Sequence, residues 1–332
     1  MALLNPAYKL TLGDRIVDTT DEPQASTVVS LSVALDMEAP ADSCTLEMGQ
    51  VGSFRPARGE EAIVELGYAD NGGLTRVLSG TIRVVAPGLV SRRVVVHSAA
   101  AGLLRSFADT THENKTAGDI VNELAGAAGI TVAQADAGIS FPAYVVDGRR
   151  SAWQHLRDLA DLCGFDLYLN PEGELVFERF AGGRTVHVFD YGRHVLALDS
   201  LGSAPQAETV EAWGESPTGS QGEEAWGWLT KDFSGSKGSA GSGEPTLLLE
   251  RPVLRTASAA QSAADALHTE LQRRSILGRL LVLGNPAVKL GDAIRLQRNP
   301  EDELNGSFQV RSVTHHLSKA RGFTTLIGFR GI

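Results

Sequence analysis

Three groups of residues in this 332-residue chain have types and spacings that could do chemistry. The first is the adjacent pair His315-His316, whose imidazoles could bind a metal. Neighbouring side chains of a strand point to opposite faces, which separates the two rings and argues for structural roles. The second is acidic: Glu301-Asp302-Glu303 and Glu223-Glu224. Paired carboxyl groups can hydrolyse glycosidic bonds. A catalytic acid needs partial burial to stay protonated, whereas both clusters lie in polar, turn-like segments, so solvated charge is the expectation. The third is aromatic: Trp213, Trp226 and Trp228 could stack on a sugar, or close a core or a subunit contact, and the second use is preferred. Beside them, Ser234 to Gly243 is almost all Gly and Ser. It lacks the Gly-Lys-Ser/Thr ending and the strand-to-helix setting of a phosphate-binding loop, and its composition is that of a flexible linker. The sequence has no His-Glu-x-x-His, Cys-x-x-Cys or Gly-x-Ser-x-Gly. No catalytic residue, cofactor site or metal site is assigned.

The formal net charge of -10 opposes binding to nucleic acid, and Lys and Arg form no long run. No apolar run approaches a membrane span. The start, Met1-Ala2-Leu3-Leu4-Asn5-Pro6, has no basic region followed by an apolar stretch, so synthesis in the cytoplasm without a signal peptide is expected. The two cysteines, Cys44 and Cys163, could pair, but Cys163 lies on the apolar face of a predicted helix and reads as a buried thiol.

These residues must be positioned by elements, and the elements read as mostly β with α+β insertions. Hydrophobic residues at 42% can bury cores, the length suggests two or three domains, and 36 glycines favour many tight turns. Residues 1–100 alternate in period two, as at Val29, Leu31, Val33 and Leu35, and carry hairpin turns at Asn71-Gly72-Gly73 and Ala86-Pro87-Gly88. They predict a first antiparallel β domain. Residues 101–185 predict a small α+β domain. Thr116 with Asp119, and Ser151 with Gln154, form capping boxes that start two helices, ended by Gly129 and Gly164. A hairpin follows, turning at Asn170-Pro171-Glu172-Gly173. Residues 186–332 predict a second β domain. It holds a flexible insertion over about 214–245 and a helix over about 258–275, started by Ser258 with Gln261.

The two β regions resemble each other. Gly59-Glu60-Glu61-Ala62-Ile63-Val64 and then Gly80-Thr81-Ile82-Arg83-Val84 match Gly291-Asp292-Ala293-Ile294-Arg295-Leu296 and then Gly306-Ser307-Phe308-Gln309-Val310, with one residue inserted at Glu61. Gly59, Gly80, Gly291 and Gly306 are the candidate structural turn residues, and a duplication is expected.

The segments Gly284-Asn285-Pro286, Leu290 to Leu296, Asn305 to His316 and Gly322 to Leu326 resemble the phage late-control D family. So do the stretch from Thr116 to Glu178 and Ala263-Ala264-Asp265-Ala266-Leu267. That family includes tail hub proteins and the hub portion of the VgrG proteins of type VI secretion. The resemblance implies two tube-protein-like antiparallel β-barrels in a homotrimeric, non-enzymatic baseplate hub. Such a hub adapts a sixfold inner tube protein to a threefold spike protein, among other baseplate proteins. No residue remains after Ile332 for a spike, so a separate spike chain is expected. A tail-associated cell-wall hydrolase or glycan-binding module is the alternative.

Overall fold

The alternation read from residues 1–100 becomes seven strands in the computed structural model, which describes residues 4–20, 28–49, 55–70, 73–214 and 237–332. They are β1 (Pro6–Leu12), β2 (Arg15–Asp18), β3 (Val28–Asp36), β4 (Ser43–Gly49), β5 (Glu61–Tyr68), β6 (Gly73–Pro87) and β7 (Ser91–His97). Leu31, Val33 and Leu35 are buried, but Val29 is exposed. A register shift between Val28 and Ser30 makes Val29 a bulge residue and turns its side chain outward. The β5–β6 hairpin forms, although Asn71 and Gly72 lie outside the described residues. In the β6–β7 hairpin, Gly88 N–H donates to Ser91 O at 2.8 Å and leaves Leu89 and Val90 at an exposed tip.

The middle of the chain holds α1 (Ala100–Leu103), β8 (Thr110–Thr116), α2 (Ala117–Ala127), β9 (Val132–Ala135), β10 (Ser140–Val146), α3 (Ala152–Cys163), β11 (Asp166–Leu169) and β12 (Leu175–Glu178). Both expected helix starts are present. Asp119 N–H donates to Thr116 Oγ1 at 3.2 Å and Thr116 N–H to Asp119 Oδ2 at 3.1 Å. Ser151 N–H donates to Gln154 Oε1 at 2.9 Å. Gly164, at φ 65°, ends α3 in the left-handed conformation that a residue with a Cβ resists. Cys44 and Cys163 are both free and buried.

The last part holds β13 (Val186–Asp190), β14 (Val195–Gly202), β15 (Thr209–Trp213), β16 (Gly238–Gly241), β17 (Thr246–Glu250), α4 (Ala257–Arg273), β18 (Ile276–Leu283), β19 (Ala293–Gln297), β20 (Ser307–Ser318) and β21 (Gly322–Arg330). Two expectations fail here. Thr256, not Ser258, caps α4, its Oγ1 accepting from Ala259 N–H at 3.2 Å. Gln261 instead holds β16, donating to Ser239 O at 2.8 Å and accepting from Ser239 N–H at 3.1 Å. The flexible reading also fails for Gly238–Gly241, which form a strand between β15 and α4, while residues 215–236 lie outside the described residues. A Cβ on Gly238 would meet the Ala260 carbonyl carbon at 2.3 Å. The missing side chain is what lets the strand lie on the helix. Packing also crosses the boundary expected at residue 185. Val210, Ala212, Ala260, Ala263 and Leu271 share one core with Leu156, Leu159 and Phe177 of the α+β part.

Twelve of the remaining thirteen strands form two arrays of six in the same order, and β2 lies outside β1. One runs β3-β4-β7-β6-β5-β1 and the other β14-β18-β21-β20-β19-β13. The correspondence extends to irregularities. The register shift at Val28/Ser30 recurs at Val195/Ala197, and the one at Ile82/Val84 recurs at Val310/Ser312. Ile82 N–H donates to Glu60 O, and Val310 N–H to Asp292 O, each at 2.9 Å. The sixth strand differs: β1 is antiparallel to β5, whereas β13 is parallel to β19. The arrays are not separate domains. β20 pairs with β3 from Ser312↔Asp36 to Ser318↔Ser30, which makes one 13-stranded sheet over a shared core.

Candidate assembly surfaces

The four glycines fall in unlike settings. Gly59 and Gly291 have φ of 91° and 81° and stand two residues before β5 and β19. Gly80 does not turn the chain. It lies inside β6 opposite Ala62, where a Cβ would meet His97 O of β7 at 2.2 Å. Gly306 precedes β20 in open space, with no atom nearer than 3.9 Å to a Cβ there. Pairing matches Ala62↔Gly80 with Ile294↔Phe308, so the counterpart of Gly80 is Phe308 and Glu61 needs no insertion. Alternating short strings matched Gly80 to Gly306 by composition, and the ladder displaces that match by two residues.

Among the described residues, the chemistry-bearing groups do not converge. His315 is fully buried, with Nδ1 3.0 Å from Thr325 Oγ1 and with burial lowering its pKa to about 4. His316 is half-buried and lies next along the same strand. Glu301, Asp302 and Glu303 are exposed in a short 3-10 turn. Glu223, Glu224, Trp226 and Trp228 lie outside the described residues, and Trp213 ends β15 half-buried. Among the described residues, no helix is long and apolar enough to cross a membrane.

A charged cluster that the sequence reading missed holds the α+β part against the sheet. Asp166 of β11 accepts from Arg311 Nη1 at 2.6 Å and from Gln309 Nε2, and Gln309 Oε1 accepts from Arg330 Nε at 2.7 Å. Arg330 also donates to Glu270 of α4, and Arg311 to Glu38. Arg157 of α3 donates to Glu38 Oε2 at 2.8 Å and to Met37 O at 2.9 Å. Burial pushes Asp166 up against the pull of both guanidiniums and brings Arg330 down to about 10. Five elements and one loop thus meet through polar groups that would be costly to bury singly. The residues stand from 38 to 330 along the chain, which no local spacing could signal.

Several strands pair on one side only among the described residues, and two such stretches bear on assembly. β14 pairs with β18 alone, and beyond Ile82 the residues Val84–Pro87 of β6 pair with β7 alone. Apolar side chains stand at both: Val84 near the first tip, and Leu196 and Leu201 on β14. An exposed apolar strand edge is a template on which another chain can pair.

The fold as a whole is similar to that of solved structures. The 43 kDa tail protein of prophage MuSo2 from Shewanella oneidensis superposes with a TM-score of 0.70 at 17% identity, over 97% of each chain. A tail protein from Neisseria meningitidis MC58 gives 0.71 at 14% identity, over 98% of this chain and 96% of the other. The chain has the fold of a phage tail protein. The same tail-protein fold extends to the E. coli c3393 protein, a component of the type VI secretion system, at a TM-score of 0.61 and 11% identity, over 98% of this chain and 77% of that one. No family model matches the sequence, and no curated protein matches it. The tail-protein fold is therefore visible in three dimensions where the sequences have diverged.

Proposed function

We propose that this chain is a non-enzymatic baseplate hub of a contractile phage tail or injection system. It works as a homotrimer that joins a sixfold inner tube protein to a separate threefold spike protein and touches other baseplate proteins. The observation that carries the reading is the pair of six-stranded arrays with the same order and the same two bulges. Three copies of a chain with two like units present six similar units to one neighbour and three whole chains to another. The joint through β3 and β20 supports it, because units stitched into one sheet transmit load without a hinge. The work is done by shape, and the acidic surface suits contact with protein rather than with nucleic acid.

Native mass spectrometry of the chain, alone and with tube and spike proteins, is the test. Three copies per particle are expected. A stable dimer, or six copies of this chain per baseplate, would refute the proposal.

A further inference from the structure

The α+β part and α4 leave a cleft of about 410 Å³ between them. One wall is the face of α4 that carries Asp265, Thr269 and Arg273, and the other is the end of α3 and the segment after β12. Gly164 lets the walls approach at one edge, since a Cβ there would meet Ala266 Cβ at 2.9 Å. Two arginines line the cleft, and each lies over a phenyl ring. Arg179 Cζ is 5.7 Å from the centre of the Phe165 ring, and Arg273 Cζ is 5.7 Å from that of Phe180. The rings are fixed platforms: Phe180 is buried, and Phe165 packs edge-on to buried Phe177 with centroids 5.1 Å apart.

A ring covers the face of a guanidinium and leaves its N–H donors, which lie in the plane, unused. Among the described residues, neither guanidinium has a carboxylate at ion-pairing distance or a hydrogen-bond acceptor, and Arg273 Nε is a buried donor without a partner. Such a donor is costly to leave unmet. The carboxylates around the cleft are engaged elsewhere. Glu270 accepts from Arg274 Nε at 2.8 Å and from Arg330. Asp136 accepts from Arg179 N–H at 2.9 Å and from Gln134 Nε2 at 2.7 Å. Asp265 accepts from Gln261 Nε2 at 3.0 Å and stands about 12 Å along α4 from Arg273. The Cys163 thiol on the cleft stays neutral, because burial pushes its pKa up to about 11, so it adds no opposing charge.

We propose that this cleft binds a small oxyanion, a carboxylate or a phosphate, on the free donor edges of Arg179 and Arg273. Arg179 is exposed and Arg273 half-buried, so an anion reaches the first from solvent and is held by the second away from bulk water. Thr269, one turn before Arg273 on the same face of α4, adds a hydroxyl to the site. The site lies within one chain and is independent of how many copies assemble.

The experiment is isothermal titration calorimetry of the full chain with inorganic phosphate and, separately, with citrate, at one fixed ionic strength. Saturable binding of a single anion per chain is expected with at least one of the two, and the pair of titrations tells a phosphate site from a carboxylate site. Arg179→Gln and Arg273→Gln should each weaken it by about tenfold to a hundredfold, the loss of one charge-assisted contact. Arg15→Gln, which removes an exposed arginine of β2 outside the cleft, should leave it unchanged. If Arg273→Gln disturbs folding, Arg273→Lys keeps the charge, loses the planar fork and should still weaken binding. Heat that saturates with neither anion overturns the proposal. So does saturable binding that survives Arg179→Gln or Arg273→Lys undiminished, which marks an adventitious ion only.

Discussion

Asp42 should make this protein less stable as the pH rises towards neutrality. It lies in the β3–β4 connection with its side chain buried, Oδ1 accepting from Asp36 N–H at 3.0 Å. Its own N–H donates to Ser98 Oγ at 3.1 Å, so it has no easy way out to water. Burial raises its pKa from 3.8 to about 7, opposed by the Asp36 N–H and assisted by the Asp36 charge. The sign follows from proton counts. Between pH 3.8 and about 7 the folded state holds the proton and the unfolded state does not, so stability present at low pH is lost as pH rises. At 1.36 kcal/mol per pH unit, the whole span is on the order of 4 kcal/mol. Asp42→Asn keeps the acceptor for Asp36 N–H and removes the titration. Urea unfolding followed by circular dichroism from pH 4.5 to 8.5 should show the variant gaining on the parent as pH rises, with the gap levelling off above about 7.5. A difference between the two proteins that stays constant across that range would refute the reasoning.

Two further outcomes follow from packing. Gly80→Ala should cost about 1–3 kcal/mol, because its Cβ drives into the His97 carbonyl of the adjacent strand, whereas Gly306→Ala, in open space, should be neutral or gain up to about 1 kcal/mol. Thermal melts of the two variants compare them directly, and equal effects would count against the register given for β6. Asp166→Ala leaves Arg311 and Arg330 without their shared carboxylate and should cost about 3–5 kcal/mol by the same assay, while a loss under 1 kcal/mol would mean that the cluster is solvated.

Much of the fold was legible because its signals are local. The capping boxes at Thr116 and Ser151 and the left-handed Gly164 are properties of four or five consecutive residues, and α2 and α3 begin and end where those residues say. The alternation of β3 was legible too, except at Val29, where a bulge exchanges the faces of the strand. The duplication was visible in Gly59 and Gly291, whose positive φ demands glycine. It was misaligned at Gly80, because the need for glycine there comes from a neighbouring strand and not from the turn chemistry. The Gly238–Gly241 strand was read as a loop for the same reason, since a close approach to α4 leaves no mark in the local sequence. The charged cluster was wholly illegible. Its partners lie up to 273 residues apart, as Glu38 and Arg311 do, and become neighbours only when β3 meets β20.

The reversed sixth strand gives the molecule a way to be read at two levels. β1 runs against β5 while β13 runs with β19, and the other five strands of each array keep the same relations. A neighbour that rests only on the five shared strands would meet the same footprint twice and could not tell one half of the chain from the other. A neighbour that reaches as far as β1 or β13 would find opposite chain directions and would count each chain once. The two halves are alike over the five inner strands, and they acquire separate identities at the sixth strand and at β2 beyond it.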